Sequence, residues 1–223
     1  MPSTAHIESS STAPGAPATR RRRKDARPSE LLAAGLEIFV DKGFAATRLD
    51  DVARRAGVAK GTLYLYFPGK EALFQAVIED GMVAALLAAE ERMATHQGSS
   101  ADLLHELLLG WWQHIGSTAL AGVSKLIISE ARNFPEIADY YRERVIGRGR
   151  ALLRQALERG IDRGEFRPLN VEAAIDVIIA PLLMLAISRS SLRLCGQQVS
   201  PEDYLETHFE LLLRGLQPAG ERA

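Results

Sequence analysis

The segment from residue 47 to residue 70, TRLDDVARRAGVAKGTLYLYFPGK, sets the tightest limit on how this chain can fold. Its first part predicts a short helix with an apolar inner face made of Leu49, Val52, Ala53 and Ala56. Gly57 ends that helix, because glycine readily adopts the left-handed backbone angles of a C-terminal cap. A second short helix is predicted from about residue 59 to residue 67, where Leu63 and Phe67 lie four residues apart on one face.

Three further residues support a tight pairing of these helices. Thr47 and Asp50 have the spacing of a capping box, with Asp in place of the usual Glu, which predicts a helix start there. Ala53 is small enough to let the helices cross closely. Two short helices joined by a tight glycine turn form a helix-turn-helix unit, whose second helix enters the major groove of DNA.

The outward residues of the second helix suit contact with DNA. Lys60 supplies a charge for a phosphate, and Gly61 offers a backbone N–H with no side chain in the way. Thr62 and Tyr64 offer hydroxyl groups to phosphates or base edges. The alternative is that these residues are only the polar side of an amphipathic helix pair.

Two more residues extend the candidate surface. Tyr66 lies roughly 200° around the helix from Tyr64, so one of the two tyrosines is expected to serve partly as packing. Lys70 starts the next helix, where its charge and the free N–H groups can both reach a phosphate.

The pattern GF-x2-T-x5-A-x3-GV-x-KGTLY-x-YF-x2-K-x2-L, from Gly43 to Leu73, resembles the TetR/AcrR family of bacterial transcriptional regulators. The close match covers about residues 28–74. The resemblance implies a three-helix DNA-binding head, a long fourth helix and an all-helical body that binds a ligand and dimerises. The positions that the resemblance implies as DNA contacts are Thr47, Lys60, Gly61, Thr62, Tyr64, Tyr66 and Lys70. Arg48, which follows Thr47, is a further candidate contact.

Two departures from the family pattern affect the helix caps. Ala59 stands where the family often has Ser, which removes a cap of a kind that contributes about 0.5–2 kcal/mol and a hydroxyl for a phosphate. DNA binding is therefore expected to depend more on Lys60 and on the basic segment described next. Gly69, in place of Ser or Asn before Lys70, costs only a few tenths of a kcal/mol.

The charge distribution agrees with a DNA-binding front end. The formal net charge is −1, but residues 20–70 hold twelve Lys or Arg against six Asp or Glu. Residues 71–223 hold fifteen basic against twenty-one acidic residues. Such an asymmetry indicates a nucleic-acid-binding end on a body with another task.

The first nineteen residues are rich in Ser, Thr, Ala, Pro and Gly and are predicted to be disordered. They lead into a basic arm, Arg20, Arg21, Arg22, Arg23 and Lys24. The arm can be a solvated segment, a nuclear-import signal, or a contact to phosphates or the minor groove beside the docked head. The helix-turn-helix pattern that follows favours the contact with DNA.

The rest of the chain predicts an all-α fold. Leu32, Leu36 and Phe39 mark one face of a first helix that Pro28 can start and Gly43 can stop. The alternation of apolar and polar residues that is typical of strands is missing, and so are the residue pairs typical of hairpin turns. Further helices are expected at about 70–95, 101–116, 119–132, 135–163, 170–194 and 202–216. The domains are then a tail with the arm at 1–26, a head at 27–73, a body at 74–217 and a C-terminal tail at 218–223.

Several classes of protein are disfavoured. The longest apolar run has eleven residues, 177–187, and includes Pro181, whereas a membrane span needs about 20. With no export signal either, the protein is expected in the cytoplasm. Cys195 is the one cysteine and is interpreted as an inert thiol rather than a redox sensor. His105 and His114 are too far apart for a helical metal pair, so no metal, cofactor or enzymatic site is expected.

Two apolar helices in the body predict a homodimer. The helix at 170–194 is apolar nearly all round, and two such helices from each chain can form a four-helix bundle about a two-fold axis. The predicted interface residues are Ile175, Ile178, Leu182, Leu185, Leu205, Phe209 and Leu212. The alternative is that both stripes pack inside one monomer.

A ligand pocket is expected between the helices of the body. Pro181 should kink its helix, and the kink can admit a ligand or be simply packed. The candidate lining residues are Trp111, Trp112, His114, Phe134, Tyr141 and Met184, any of which can instead belong to the core or dimer surface. The sequence thus predicts a repressor that binds a palindromic operator and is released by an apolar or amphipathic effector. One alternative is a DNA organiser or partner-controlled regulator without an inducer. A second alternative is an enzyme, but no set of catalytic residues in the sequence supports it.

Overall fold

The structure is a computed structural model that describes residues 28–192 and 199–218. All regular elements of that part of the chain are helical, as predicted. The predicted basic arm, residues 20–24, lies outside the described residues, as do Cys195 and the chain after residue 218.

Three helices form the head: α1 (Pro28–Ala46), which has 19 residues, and the short helices α2 (Leu49–Arg55) and α3 (Lys60–Tyr66). The helix α1 starts at Pro28, as predicted, and Gly43 interrupts its last turn with a φ of 79°. Three phenylalanine rings pack together in the core of the head. The centre of the Phe74 ring lies 5.2 Å from that of Phe39 and 5.5 Å from that of Phe44, and both contacts are edge to face. Such contacts between aromatic rings stabilise a core beyond simple burial.

The turn between α2 and α3 is a Schellman motif centred on Gly57, whose φ is 68°. The Val58 N–H donates to the Ala53 carbonyl at 3.0 Å, and the Gly57 N–H donates to the Arg54 carbonyl at 3.2 Å. These two bonds satisfy carbonyls at the end of α2 and reverse the chain. The predicted glycine turn is therefore confirmed, and the side chains of Leu63 and Phe67 are buried as expected.

The predicted capping box is wrong. The Thr47 hydroxyl donates to the Gly43 carbonyl at 2.6 Å, within the preceding helical turn. Arg48 is the N-cap residue of α2, and no side chain caps that helix. Thr47 is used to close the end of α1, so α2 begins one residue later than the box requires.

The body contains eight α-helices and four π-helical turns among the described residues. The α-helices are α4 (Lys70–Ile78), α5 (Ala84–Thr95), α6 (Ser100–Trp111), α7 (Ala121–Glu130), α8 (Pro135–Tyr141), α9 (Gly147–Asp162), α10 (Val171–Ile187) and α11 (Pro201–Leu216). The π-turns are Glu79–Val83, Trp112–Gly116, Arg142–Ile146 and Ser188–Leu192. Each π-turn continues a helix that the sequence predicts as uniform.

The packing of α10 corrects the predicted dimer interface. Ile175, Ile178, Leu182 and Leu185 are at most 3% exposed, because this stripe faces the core of its own chain. The opposite face of α10 is open, with Val177 69% and Met184 58% exposed. On α11, Leu205, Phe209 and Leu212 are half-buried against the core.

Two helical stretches, Lys70–Thr95 and Val171–Ser190, are long and apolar enough to cross a membrane by length and composition alone. Their mean hydropathies are 1.6 and 2.1. Each buries one face in the head or body through residues such as Leu73, Phe74 and Ile178. This packing fits core helices of a globular protein.

Candidate DNA-binding surface and effector cavity

The outer face of α3 presents an apolar centre flanked by two tyrosines. Leu65 is 86% exposed, and Tyr64 and Tyr66 are 44% and 48% exposed. At roughly 100° per residue, Leu65 and Gly61 share the middle of the outward face, and the two rings lie on either side of it. The Tyr66 ring also lies 6.4 Å from the ring of the buried Phe67, which agrees with the expectation that one tyrosine serves partly as packing.

Leu65 is a candidate contact that sequence reasoning missed. It is exposed because the buried face of α3 is formed by Leu63 and Phe67. The signal was its spacing of four from Gly61, which places both on the outward face. A bare apolar side chain there can contact the methyl group of a thymine.

Lys60 is held at the start of α3 by a carboxylate. Its Nζ lies 2.8 Å from Asp50 Oδ2 and 5.6 Å from the centre of the Tyr64 ring. The hydrogen bond to Asp50 raises the pKa of Lys60, so the ammonium stays charged. Thr62, two residues further along α3, is half-buried.

Among the described residues from α1 to α3, Arg48 is the cation that forms no ion pair. Its side chain is exposed at the start of α2. Within the described residues 28–66, the other Lys and Arg side chains each pair with a carboxylate: Lys42 and Arg54 with Asp51, Arg55 with Glu37, and Lys60 with Asp50. Arg48 can therefore bind a phosphate without first breaking an ion pair.

Thr47 and Lys70 hold the end of α1 in this conformation. Thr47 is 3% exposed. The Lys70 ammonium donates to the carbonyls of Phe44 and Ala45 at 2.8 and 3.1 Å, and it lies 4.5 Å from the Phe44 ring centre. A phosphate contact by either side chain stays a prediction that requires these bonds to change.

A cavity of about 430 Å³ lies in the body between α5, α6, α7, α9 and α10. Its wall is mainly apolar, with Leu86, Leu107, Ile127, Leu153, Ile179 and Leu182 among the lining residues. A concave apolar site of this size with a few polar groups is typical of sites for small molecules. Ala180 and Leu182, on either side of Pro181, both line it.

Two of the six predicted pocket residues, Trp111 and Tyr141, line this cavity. Trp112 is buried in a separate apolar cluster, and the exposed His114 ring is hydrogen-bonded to the Gly110 carbonyl at 2.8 Å. The Phe134 ring packs 4.8 Å from Phe44 at the junction with the head, and Met184 is exposed. These four residues therefore do not form the pocket, because helix orientation turns them elsewhere.

The polar groups of the cavity wall are of two kinds. The hydroxyls of Ser124 and Tyr141 are hydrogen-bonded to each other at 3.0 Å, and burial raises the pKa of Tyr141. The charged groups include Arg150, which forms ion pairs with Glu172 at 2.8 Å and with Asp176, and Arg92, which is exposed and forms no ion pair among the described residues. The wall thus combines neutral hydroxyls with one neutralised and one unpaired arginine.

The helix α7 joins the cavity to the head. Ser124 and Ile127 line the cavity, whereas Glu130 at the end of the same helix accepts the Ala45 N–H of α1 at 3.3 Å. Near its start, an added Cβ at Gly122 would lie 2.6 Å from Val40. A shift of α7 on ligand binding would therefore act directly on α1 through these contacts.

Comparison with known proteins gives matches over both parts of the chain. The family model "Bacterial regulatory proteins, tetR family" matches residues 31–77, and "Tetracyclin repressor-like, C-terminal domain" matches residues 94–192. An uncharacterised HTH-type transcriptional regulator of Bacillus subtilis, YfiR, is 31% identical over 71% of this chain and 77% of its own length.

Solved structures give the same fold. The fatty acid degradation regulator FadR of Bacillus halodurans superimposes with a TM-score of 0.70 at 22% identity, covering 86% of this chain and 100% of that one. FadR of Bacillus subtilis, in complex with stearoyl-CoA, gives a TM-score of 0.64 at 21% identity over the same shares.

Proposed function

Because this chain belongs to the TetR family of bacterial transcriptional regulators, we propose that it is a cytoplasmic repressor released from its operator by a small effector. The chain is a DNA-binding regulator rather than an enzyme. The observation that carries the proposal is that one helix, α7, contacts both an apolar cavity and the DNA-binding head. The operator is a palindrome, and the repressor binds it as a homodimer.

On the operator, α3 lies in the major groove. Gly61 and Leu65 face the base edges, while Tyr64 and Tyr66 reach the groove walls on either side. Arg48 and Lys60 bind phosphates. The exposure of these side chains on one surface supports this arrangement.

The dimer forms through the open face of α10 and the neighbouring part of α11. Val177, Met184 and Leu211 are 69%, 58% and 66% exposed, which is unusual for three large apolar side chains on adjacent helices. A second copy related by a two-fold axis covers this face with the same face of its own. The interface of this proposal replaces the buried α10 stripe that the sequence suggested.

The effector is an amphipathic molecule with a long apolar part. The apolar cavity wall supports this class, as does the stearoyl-CoA bound to the FadR structure of similar fold. Release requires the effector to bind the released conformation more tightly than the operator-bound one. Movement of α7 transmits that preference to α1, and the linking helix α4 changes the separation of the two heads.

DNA binding is tested with operator fragments selected from a random duplex library and measured by mobility shift. We expect the double variant Lys60→Ala/Tyr64→Ala to lose operator binding with little change in melting temperature, because both side chains are exposed. Lys125→Ala, which removes an exposed charge from α7 in the body, is the matched control and should bind normally. Full operator binding by the double variant would refute the proposed surface.

The oligomeric state is tested by light scattering after gel filtration. We expect Val177→Glu and Met184→Glu to give monomers, because each buries a charge in the proposed interface. Leu87→Glu, at an exposed apolar residue of α5, is the control and should leave the dimer intact.

If compounds that bind the cavity never release the operator, the chain is instead a DNA organiser without an inducer.

A further inference from the structure

Two buried hydroxyl groups stand out in the effector cavity. Ser124 on α7 and Tyr141 at the end of α8 are 5% and 7% exposed, and both line the cavity. Their oxygens lie 3.0 Å apart, within hydrogen-bond distance. Within the described part of the chain, this is the only hydrogen bond that either hydroxyl makes.

Counting hydrogens shows that this pair is incomplete. Each hydroxyl carries one hydrogen and can donate once. One hydrogen forms the bond between the two side chains, so the other has no acceptor on the described protein. Unpaired buried donors are rarer in proteins than acceptors with a free lone pair. The cavity therefore contains one buried hydroxyl donor that a bound molecule can satisfy.

From this we infer that the Ser124–Tyr141 pair recognises an uncharged acceptor oxygen, the carbonyl of an ester, thioester or ketone, on the apolar effector. The inference rests on the proposed function, in which this cavity holds the effector. A carbonyl oxygen accepts the free hydrogen and carries no charge that must be dehydrated. A carboxylate placed at the Ser124–Tyr141 pair would lose its hydration. Of the two arginines that line the cavity, Arg150 is already balanced by Glu172 and Asp176, whereas Arg92 is exposed and forms no ion pair among the described residues.

The two hydroxyls can replace each other in this role. In Tyr141→Phe, the Ser124 hydroxyl loses its partner and keeps a hydrogen to donate, and the reverse holds in Ser124→Ala. Each single variant therefore keeps the preference for a carbonyl. Only the double variant Ser124→Ala/Tyr141→Phe lacks a donor, so the contribution of this hydrogen bond to carbonyl binding should disappear in it alone.

The experiment compares methyl decanoate with dodecane, which has the same chain length and lacks the carbonyl. Binding to the full-length protein without DNA is followed by tryptophan fluorescence, since Trp111 lines the cavity. Because the ester group of methyl decanoate must lose its hydration on binding and dodecane has none to lose, the quantity compared is the ratio of the dodecane and methyl decanoate dissociation constants. For the native protein and both single variants, we expect this ratio to be about threefold to tenfold larger than for the double variant, the range for one ordinary hydrogen bond. Decanoate and decylamine should bind more weakly than methyl decanoate.

Stability measurements separate recognition from folding. The double variant removes both partners of a buried hydrogen bond together, a change that is often nearly neutral, and it should melt like the native protein. An equal ratio of the two dissociation constants in the native protein and in the double variant would overturn this inference and leave the proposed function standing. Failure of all four probes to bind would overturn both the inference and the proposed effector cavity.

Discussion

At the level of single residues, Lys60 shows how the DNA-free head keeps its charges paired. Its ammonium is hydrogen-bonded to Asp50 at 2.8 Å. In the proposed complex, a phosphate would replace this carboxylate when α3 enters the groove. Asp50 would then compete with DNA for Lys60, and it would also place a negative charge beside the phosphate backbone.

Replacing Asp50 with Asn tests this competition. We expect Asp50→Asn to raise operator affinity severalfold, because it removes the competing charge and keeps the shape of the side chain. Mobility shift at fixed salt measures the change, and Lys60→Ala/Asp50→Asn is the control, in which the gain should be much smaller. A weaker complex for Asp50→Asn would mean that Asp50 positions Lys60 for DNA.

Leu65 gives a second test at this scale. We expect Leu65→Ala to reduce discrimination between operator variants that differ at thymines, by about 1–3 kcal/mol at the affected base pair. The dependence of affinity on salt should stay the same, because leucine neutralises no phosphate. A uniform loss of affinity on all sequences would contradict base contact by this residue.

At the level of the helices, the turn between α2 and α3 depends on the backbone of Gly57. Its φ is 68°, and no atom lies within 4 Å of an added Cβ. The cost of a side chain there is therefore purely conformational. The same open space surrounds Gly61, which lies inside α3 without a positive φ.

These two glycines form a matched pair for stability measurements. We expect Gly57→Ala to lower the free energy of unfolding by about 1–2 kcal/mol, because it forces alanine into the left-handed region. Gly61→Ala should stabilise slightly, as alanine favours the helix, yet weaken DNA binding by filling the close approach. Urea unfolding and mobility shift distinguish the two effects. Equal stability of both variants would argue against the strained turn.

The contact between α10 and α11 predicts a dependence of stability on pH. His208 on α11 lies with Nε2 at 3.2 Å from the Ile178 carbonyl of α10. Burial lowers the pKa of His208 below its usual value of 6.5, so the folded state binds this proton less readily than the unfolded state. Stability from this group is therefore present above pH 6.5 and is lost as pH falls below it.

We expect the melting temperature of the native protein to fall between about pH 7 and pH 5 more steeply than that of His208→Gln. Thermal denaturation over this range measures the difference. His105→Gln, at an exposed histidine of α6, is the control and should follow the native curve. Parallel curves for His208→Gln and the native protein would show that His208 does not drive the change.

At the level of the whole molecule, the positive charge is concentrated before the first helix. Residues 28–70 hold six Lys or Arg against five Asp or Glu, whereas residues 20–27 hold six against one. Most cations of the described head are also paired with carboxylates. We therefore expect the arm at residues 20–24 to supply much of the electrostatic attraction to DNA.

Removal of the arm tests whether it supplies much of the electrostatic attraction to DNA. If each head of a dimer neutralises about four phosphates, log K should fall with log salt at a slope near −7 for the full chain. We expect deletion of residues 1–24 to make that slope shallower by at least about 2, because it removes five cations per chain. Arg154→Ala, in the body, should leave the slope unchanged. An unaltered slope after deletion would place the phosphate contacts in the head, and a full-chain slope shallower than about −2 would contradict the proposed contacts altogether.

The sequence by itself determined the helix-turn-helix and the all-α class. The Gly57 turn, the spacing of Leu63 and Phe67 and the helix start at Pro28 depend on contacts within a few residues. Local interactions of this kind leave a direct trace in residue type and spacing. The boundaries of most body helices could be predicted for the same reason.

Only the tertiary structure decided which side of each helix meets which neighbour. The sequence of a helix that is apolar all round, like α10, does not indicate which side of the helix is buried. The buried Ile178 and the exposed Met184 therefore could not be told apart from the sequence. The pairing of Ser124 with Tyr141, and the use of Lys70 to hold α1, likewise depend on residues far away in the chain. Such contacts exist only once distant helices pack, and the effector cavity is one result of that packing.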